Sequence, residues 1–206
     1  MIYGSLPDDL GLIDIDPKEM MFWMYCPVKI PYGELCLPDN LKLFQPIIDR
    51  VMANEDVYTK YMYLTAKTLW VEGSYIGNRP GWHSDGFGTD DVNYIWYTHC
   101  PTEFISGEFD LSTDCDQSML EMEKIAETSK IITYNNKHLL RLTPEVIHRS
   151  PTDFTSGIRS FVKVSLSDNV YDLEGNSINH GLGVKFNLHP RKMERNHPAS
   201  ISIEHT

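Results

Sequence analysis

"RPGWHSDGFGTDD", residues 79–91, sets a histidine and an aspartate two positions apart in a stretch punctuated by glycines. In extended backbone His83 and Asp85 point to the same face, because side chains alternate along a strand. A pair so placed is half of a metal site. Read alone it is equally a turn, with Asp85 accepting from backbone N–H groups beside Gly86 and Gly88. A third ligand, an open coordination face and a group to occupy that face would separate the two readings.

On the N-terminal side, "YTKYMYLTAKTLWVEGSY" (58–75) is rich in aromatic and β-branched residues and reads as one or two strands. On the C-terminal side, "VNYIWYTHC" (92–100) carries aromatics on both faces, as a central strand does, and "GEFDLS" (107–112) is a shorter strand. "KIITYNNKHLLRL" (130–142) reads as a hairpin through Asn135-Asn136. "EVIHRS" (145–150) and "IRSFVKVSLS" (158–167) follow as two more strands, and 169–189 reads as a hairpin turning at Glu174-Gly175-Asn176.

Two helices interrupt this pattern. Leu41, Phe44, Ile47, Ile48, Val51 and Met52 recur at helical spacing over about 40–54, with Asp39 or Asn40 as cap and Pro46 as a disturbance. The second helix spans 116–130, where Ser118 with Glu121 spells a capping box ahead of Met119, Met122, Ile125 and Ala126. Residues 1–38, broken by five prolines, read as irregular. Residues 186–206 read as a loosely held tail to a core of about 60–185 within one domain spanning 1–206. Many short strands with inserted helices give a mainly β protein, a sandwich or barrel with flanking helices.

Composition sets outer limits. At 206 residues, 41% hydrophobic and 23% charged, the chain suits a folded domain with a sizeable core. The longest apolar run, "MMFWMYC", has seven residues, whereas a membrane helix needs about 20. With no signal-like start and no CxxC pair among its four cysteines, the chain reads as cytoplasmic, with reduced thiols. The net charge of −11 divides as −4 over 1–80, −9 over 81–130 and +2 over 131–206. The most acidic of the three segments therefore carries the His-x-Asp pair. That disfavours a nucleic-acid groove, which neutralises phosphates with Lys and Arg, and leaves a compact neutral or cationic substrate as the expectation.

Of eight histidines, His148 has the strongest context after His83, lying on a strand after a turn with Arg159 eleven residues later on the next strand. His99 reads as a core histidine, His138 and the later ones as surface residues, and Trp82 as either pocket wall or core. Two imidazoles and one carboxylate on one face of an octahedron leave the opposite face open, the arrangement of non-haem Fe(II) sites. Arg159 adds a permanently charged fork for a carboxylate.

His83-x-Asp85, His148 and Arg159 together resemble the HxD…H…R signature of the Fe(II)/2-oxoglutarate-dependent dioxygenases, over roughly residues 60–168. The resemblance implies a double-stranded β-helix (jelly roll), with Fe(2+) held by His83, Asp85 and His148. It also implies 2-oxoglutarate bound through Arg159, and O₂-dependent decarboxylation of that co-substrate to succinate coupled to C–H hydroxylation. Many members carry a Ser or Thr two residues after the arginine. This chain has Phe161 there, and Tyr75, on the strand leading into the motif, is assigned as the second partner of the co-substrate carboxylate. Asp85 itself favours hydroxylation, since halogenating members replace that carboxylate with a small residue. A cupin would require an HxH pair, which is absent. The alternatives are a nucleobase or nucleic-acid oxidase or demethylase of the same family, and a non-catalytic binding module on the same fold. The expected substrate is a small molecule or a peptide side chain.

Overall fold

A computed structural model of the chain describes residues 1–73 and 75–191. Its elements in chain order are β1 (Ile2–Tyr3), β2 (Asp8–Leu12), β3 (Met21–Lys29), α1 (Gln45–Asn54), β4 (Tyr61–Val71), β5 (His83–Ser84), β6 (Val92–Tyr97), β7 (Glu103–Phe104) and β8 (Phe109–Asp110). They continue with α2 (Cys115–Ala126), β9 (Ile132–Thr133), β10 (His138–Leu142), β11 (Ile147–Arg149) and β12 (Gly157–Ser167). Two 3-10 helices, Asp39–Phe44 and His180–Leu182, complete the set among the described residues.

From β4 onward the chain winds between two main sheets, while β1 and β8 pair as a separate two-stranded ribbon. β4, β6, β10 and β12 lie in a six-stranded sheet of order β2-β10-β6-β12-β4-β3, while β5, β7, β9 and β11 form a four-stranded sheet of order β5-β11-β7-β9. Neighbours within each sheet are antiparallel. Eight strands wound in this way make a double-stranded β-helix. Its spine is β12, paired along all eleven residues with β4 and along six with β6.

Alternation along β12 and β6 assigns the faces. Val162, Val164, Tyr94 and Trp96 point outward and pack under the 39–44 turn and α1, where Leu41, Phe44, Ile47, Ile48 and Val51 are fully buried. Ile95, Tyr97 and Phe161 point inward and meet Phe104 and Val146 from the four-stranded side. The "VNYIWY" strand is thus apolar on both faces because each face covers a different core.

Several expectations need correction. Residues 1–38 are not irregular, since β2 and β3 form both edges of the large sheet, which therefore extends beyond residues 60–185. Pro27 lies inside β3, where register shifts flank it. A proline is tolerated on an edge strand because no neighbour needs its missing N–H, so prolines hid the strand. The 130–142 stretch is no hairpin: β9 pairs with β7, and β10 pairs with β2 and β6 in the other sheet. Turn chemistry at Asn135-Asn136 reports a change of direction but not the pairing partner. In 169–189 the turn at Gly175 forms, with φ +87°, yet Leu173 and His189 bridge in parallel.

The helix ends also differ. Pro46 disturbs nothing, because residues 39–44 are a 3-10 turn and the proline falls in the first turn of α1, where its missing N–H has no partner anyway. Helix α2 starts at Cys115 under Asp114, whose carboxylate accepts from the Gln117 N–H at 2.8 Å. Ser118 is already inside the helix and donates to the Cys115 carbonyl, so the expected box does not form. Residues 186–191 are pinned through His189, which exchanges backbone hydrogen bonds with Asp172 and Glu174. The remainder of the expected tail, 192–206, lies outside the described residues. Among the described residues no helix is long and apolar enough to cross a membrane.

Ile48 is fully buried whereas Met52, on the same sequence stripe, is 40% exposed. Ile48→Ala is expected to lower unfolding free energy by about 2–5 kcal/mol, with Met52→Ala within about 0.5 kcal/mol of the parent, in urea denaturation followed by tryptophan fluorescence.

Candidate metal and co-substrate site

Strands β5 and β11 pair so that His83 lies directly opposite His148. Facing residues of an antiparallel pair project side by side, and the two ring centroids are 4.6 Å apart. Each imidazole is oriented by a backbone carbonyl. His83 Nδ1 lies 2.8 Å from the Gly81 oxygen and His148 Nδ1 lies 3.2 Å from the Val146 oxygen. A carbonyl only accepts, so both Nδ1 atoms carry the proton and both Nε2 lone pairs are available to a metal.

Asp85 follows at the end of β5. Gly86, with φ +76°, turns the chain immediately after it, and a side chain there would press on Asp91. Ser84, facing away from the pair, donates to the Pro144 carbonyl and ties the strand to the loop before β11. One donor atom from each of His83, Asp85 and His148 lies within 4.8 Å of the other two. His83 and His148 are buried, at 7% and 6% exposure. Two neutral imidazoles and one carboxylate, gathered and oriented in this way, can hold a divalent metal ion.

A buried lysine joins them. Lys163, on the inward face of β12, places Nζ 3.0 Å from Asp85 Oδ2 and 3.2 Å from Tyr25 Oη. Burial would raise the Asp85 carboxyl, but the Lys163 charge and the neighbouring imidazoles of His148 and His83 outweigh it and hold Asp85 well below the usual carboxylate range. The lysine was overlooked in the sequence although alternation carries the signal: residues 159, 161 and 163 share one face of "IRSFVKVS".

Arg159 is 2% exposed. Its Nε donates to the His99 carbonyl at 2.9 Å and Nη1 to Asn78 Oδ1 at 3.3 Å. Its Nη2 is the buried side-chain nitrogen that finds no hydrogen-bond partner among the described residues. Burial pushes the guanidinium down to about 10, which leaves it cationic at neutral pH. An orphaned charged donor is costly unless a ligand completes it, and a carboxylate is the complementary group. Arg159 stands behind Phe161, its guanidinium carbon 4.9 Å from the ring centroid. Asn78 and Phe161 both line the adjoining cavity of about 230 Å³, which His83, Asp85 and His148 line too.

Other candidates fall elsewhere. Tyr75 is 60% exposed, bridges Glu72 and does not line the cavity, so the assignment of a co-substrate contact to it is withdrawn. It follows β4 in a surface turn, outside the alternation that aims inward residues. His99 hydrogen-bonds the Thr155 carbonyl, and its own carbonyl serves Arg159. His138 pairs with Asp9. Trp82 is core, with Arg149 stacked on its ring. Arg149 pairs with Glu103 and Arg141 with Glu55, so neither anchors a ligand in the cavity.

The charge of the cavity is not that of the segment containing its ligands. Of the acidic residues in 81–130, Asp85 alone reaches the lining, whereas Lys67, Arg79, Lys163 and Arg191 all do. Asp91 accepts from the Tyr171 hydroxyl, Glu103 pairs with Arg149, and Asp114 and Glu121 serve α2 and its approach.

No protein-family model matches the chain, and no curated protein matches it. Among solved structures the chain is similar to HygX from Streptomyces hygroscopicus with nickel and 2-oxoglutarate bound, at 15% sequence identity and a TM-score of 0.35, over 74% of this chain and 72% of HygX.

Proposed function

We propose that the chain is an Fe(II)- and 2-oxoglutarate-dependent dioxygenase that hydroxylates a C–H bond of a compact molecule or a protein side chain. The observation that carries this reading is the convergence of His83, Asp85 and His148, with both Nε2 atoms turned inward, at the end of a double-stranded β-helix cavity. Iron(II) held there would supply the activation of O₂ that couples oxidation of 2-oxoglutarate, to succinate and CO₂, with substrate hydroxylation.

The protein's own residues position and shield. The Gly81 and Val146 carbonyls fix the imidazole tautomers, and Ser84 holds the short strand that carries His83 and Asp85. The unpartnered Nη2 of Arg159, with Asn78 beside it, offers a charge-assisted hydrogen bond to the distal carboxylate of the co-substrate. Ile95 and Phe161 supply apolar walls that limit water around the reacting groups.

A second reading has its own observation. The Lys163–Asp85 ion pair neutralises the carboxylate without a metal, as would suit a binding module on the same fold. Metal titration separates the two readings. The dioxygenase reading expects succinate release from 2-oxoglutarate that requires Fe(II) and O₂ and disappears in His83→Ala. A parent chain that binds neither Mn(II) nor Co(II) would favour the module.

Two further outcomes follow from the geometry. Arg159→Ala is expected to weaken 2-oxoglutarate binding about tenfold or more, with metal affinity unchanged, because it removes a charge-assisted pair worth about 1.5–3 kcal/mol. Calorimetric titration of the Zn(II)-loaded chain checks this, and equal affinities would place the anchor elsewhere. Lys163→Met is expected to tighten Mn(II) binding about tenfold, since the lysine charge competes with the metal for Asp85. Unchanged or weaker Mn(II) binding would show that the lysine does not oppose the metal.

A further inference from the structure

Lys163 lies in the cavity lining, and Arg159 lies just outside it, behind Phe161. Arg159 and Lys163 lie four residues apart on one face of β12, roughly 13 Å of strand. Arg159 reaches one end through Asn78, which it hydrogen-bonds and which lines the cavity. At the other, Lys163 contacts Asp85 and Tyr25. Arg191 lines the same cavity as Tyr25 and Met24, and its Nε lies 3.8 Å from where a side chain on Gly175 would begin, as does the Met24 methyl. Lys67 stands between the ends, on the residue of β4 that faces Phe161.

Arg191 carries a charge that the co-substrate reading does not use. Among the described residues Asp85 is the one carboxylate in the cavity lining, and none of them sets a carboxylate against Arg191. Arg191 is held by neutral acceptors: Nε donates to the Glu174 carbonyl at 3.0 Å and Nη2 to Asn176 Oδ1 at 2.6 Å. Asn176 is itself buried and donates to the Tyr171 carbonyl at 3.0 Å, so the guanidinium is braced rather than loose. At about 230 Å³ the space lies below the ~300–1,000 Å³ of pockets for drug-sized ligands.

Resting on the dioxygenase reading above, we infer that the substrate is a compact anion, carrying a carboxylate or a phosphate that is received by Arg191 at the Lys163 end while 2-oxoglutarate occupies the Arg159 end. This replaces the neutral or cationic substrate expected from segment charge. A polyanion is disfavoured because the acidic residues of 81–130, other than Asp85, lie outside the cavity.

The test uses the full chain loaded with redox-inert Zn(II) and saturated with 2-oxoglutarate, so that binding is read without turnover. Ligand-observed NMR titrations compare glycerol 3-phosphate with glycerol and 3-hydroxybutyrate with 3-hydroxybutyramide, which separates phosphate from carboxylate recognition. At least one anion is expected to bind about tenfold more tightly than its neutral counterpart, as a charge-assisted contact predicts. Arg191→Gln should abolish that preference, Arg191→Lys should retain most of it, and neither should change affinity for 2-oxoglutarate or the metal. Equal binding of neutral and anionic probes, or an anion preference that survives Arg191→Gln, overturns the inference. So does Arg191-dependent binding of a single-stranded oligonucleotide in preference to both small anions. If 2-oxoglutarate fails to bind the Zn(II)-loaded chain, the co-substrate reading fails, while the Arg191-dependent preference is still scored in the same titrations.

Discussion

The register between β5 and β11 is the constraint on which the site depends. Both strands are only two or three residues long, yet their pairing sets His83 against His148 and leaves Asp85 two residues beyond His83. A slip of one residue would reverse every side chain of the strand between core and solvent. It would set Ser84 in place of His83 and remove the pair of imidazoles. Such short strands cannot secure a register through their own hydrogen bonds. The neighbours do it: Ser84 is tied to Pro144, and Ile147 and Trp82 are buried in one apolar cluster.

The opposing half of the cavity has the contrary design. Strand β12 is long, paired on both sides and apolar on its outer face, so its inward residues are placed by a rigid frame. That frame carries two buried cations, Arg159 and Lys163, at 2% and 9% exposure. Buried charges persist when they are paired or when they await a partner. Lys163 meets Asp85 and so joins the two sheets by an ion pair across the cavity. Arg159 retains an unsatisfied donor, which is the costlier arrangement and the one that invites a ligand.

Electrostatics here is decided by direction more than by composition. The segment 81–130 is the most acidic of the three, yet it contributes one carboxylate to the cavity lining. Of its remaining acids, Asp114 caps a helix, Glu103 pairs with arginine and Asp91 receives a tyrosine hydroxyl. The cations come from β4, the β4–β5 connection, β12 and the stretch after residue 189, which are far apart in sequence. A charge sum over a segment cannot separate side chains that line a site from those that turn away.

By itself the sequence determined the alternating patterns of β4, β6, β11 and β12, both helices, and the residue types of the site: His83-x-Asp85, His148 and an arginine on the following strand. These are local signals, since burial on one or both faces writes a period into the chain and a metal site needs particular donors. Tertiary structure alone decided which strands pair. It showed that Asn135-Asn136 joins different sheets and that the proline-broken N-terminus supplies both edges of the large one. It also brought Lys163 onto Asp85, drew Arg191 into the cavity and left Tyr75 outside. These are contacts between residues distant in sequence, and they are set by the order in which strands stack and by which face each turns inward. Local pattern records neither.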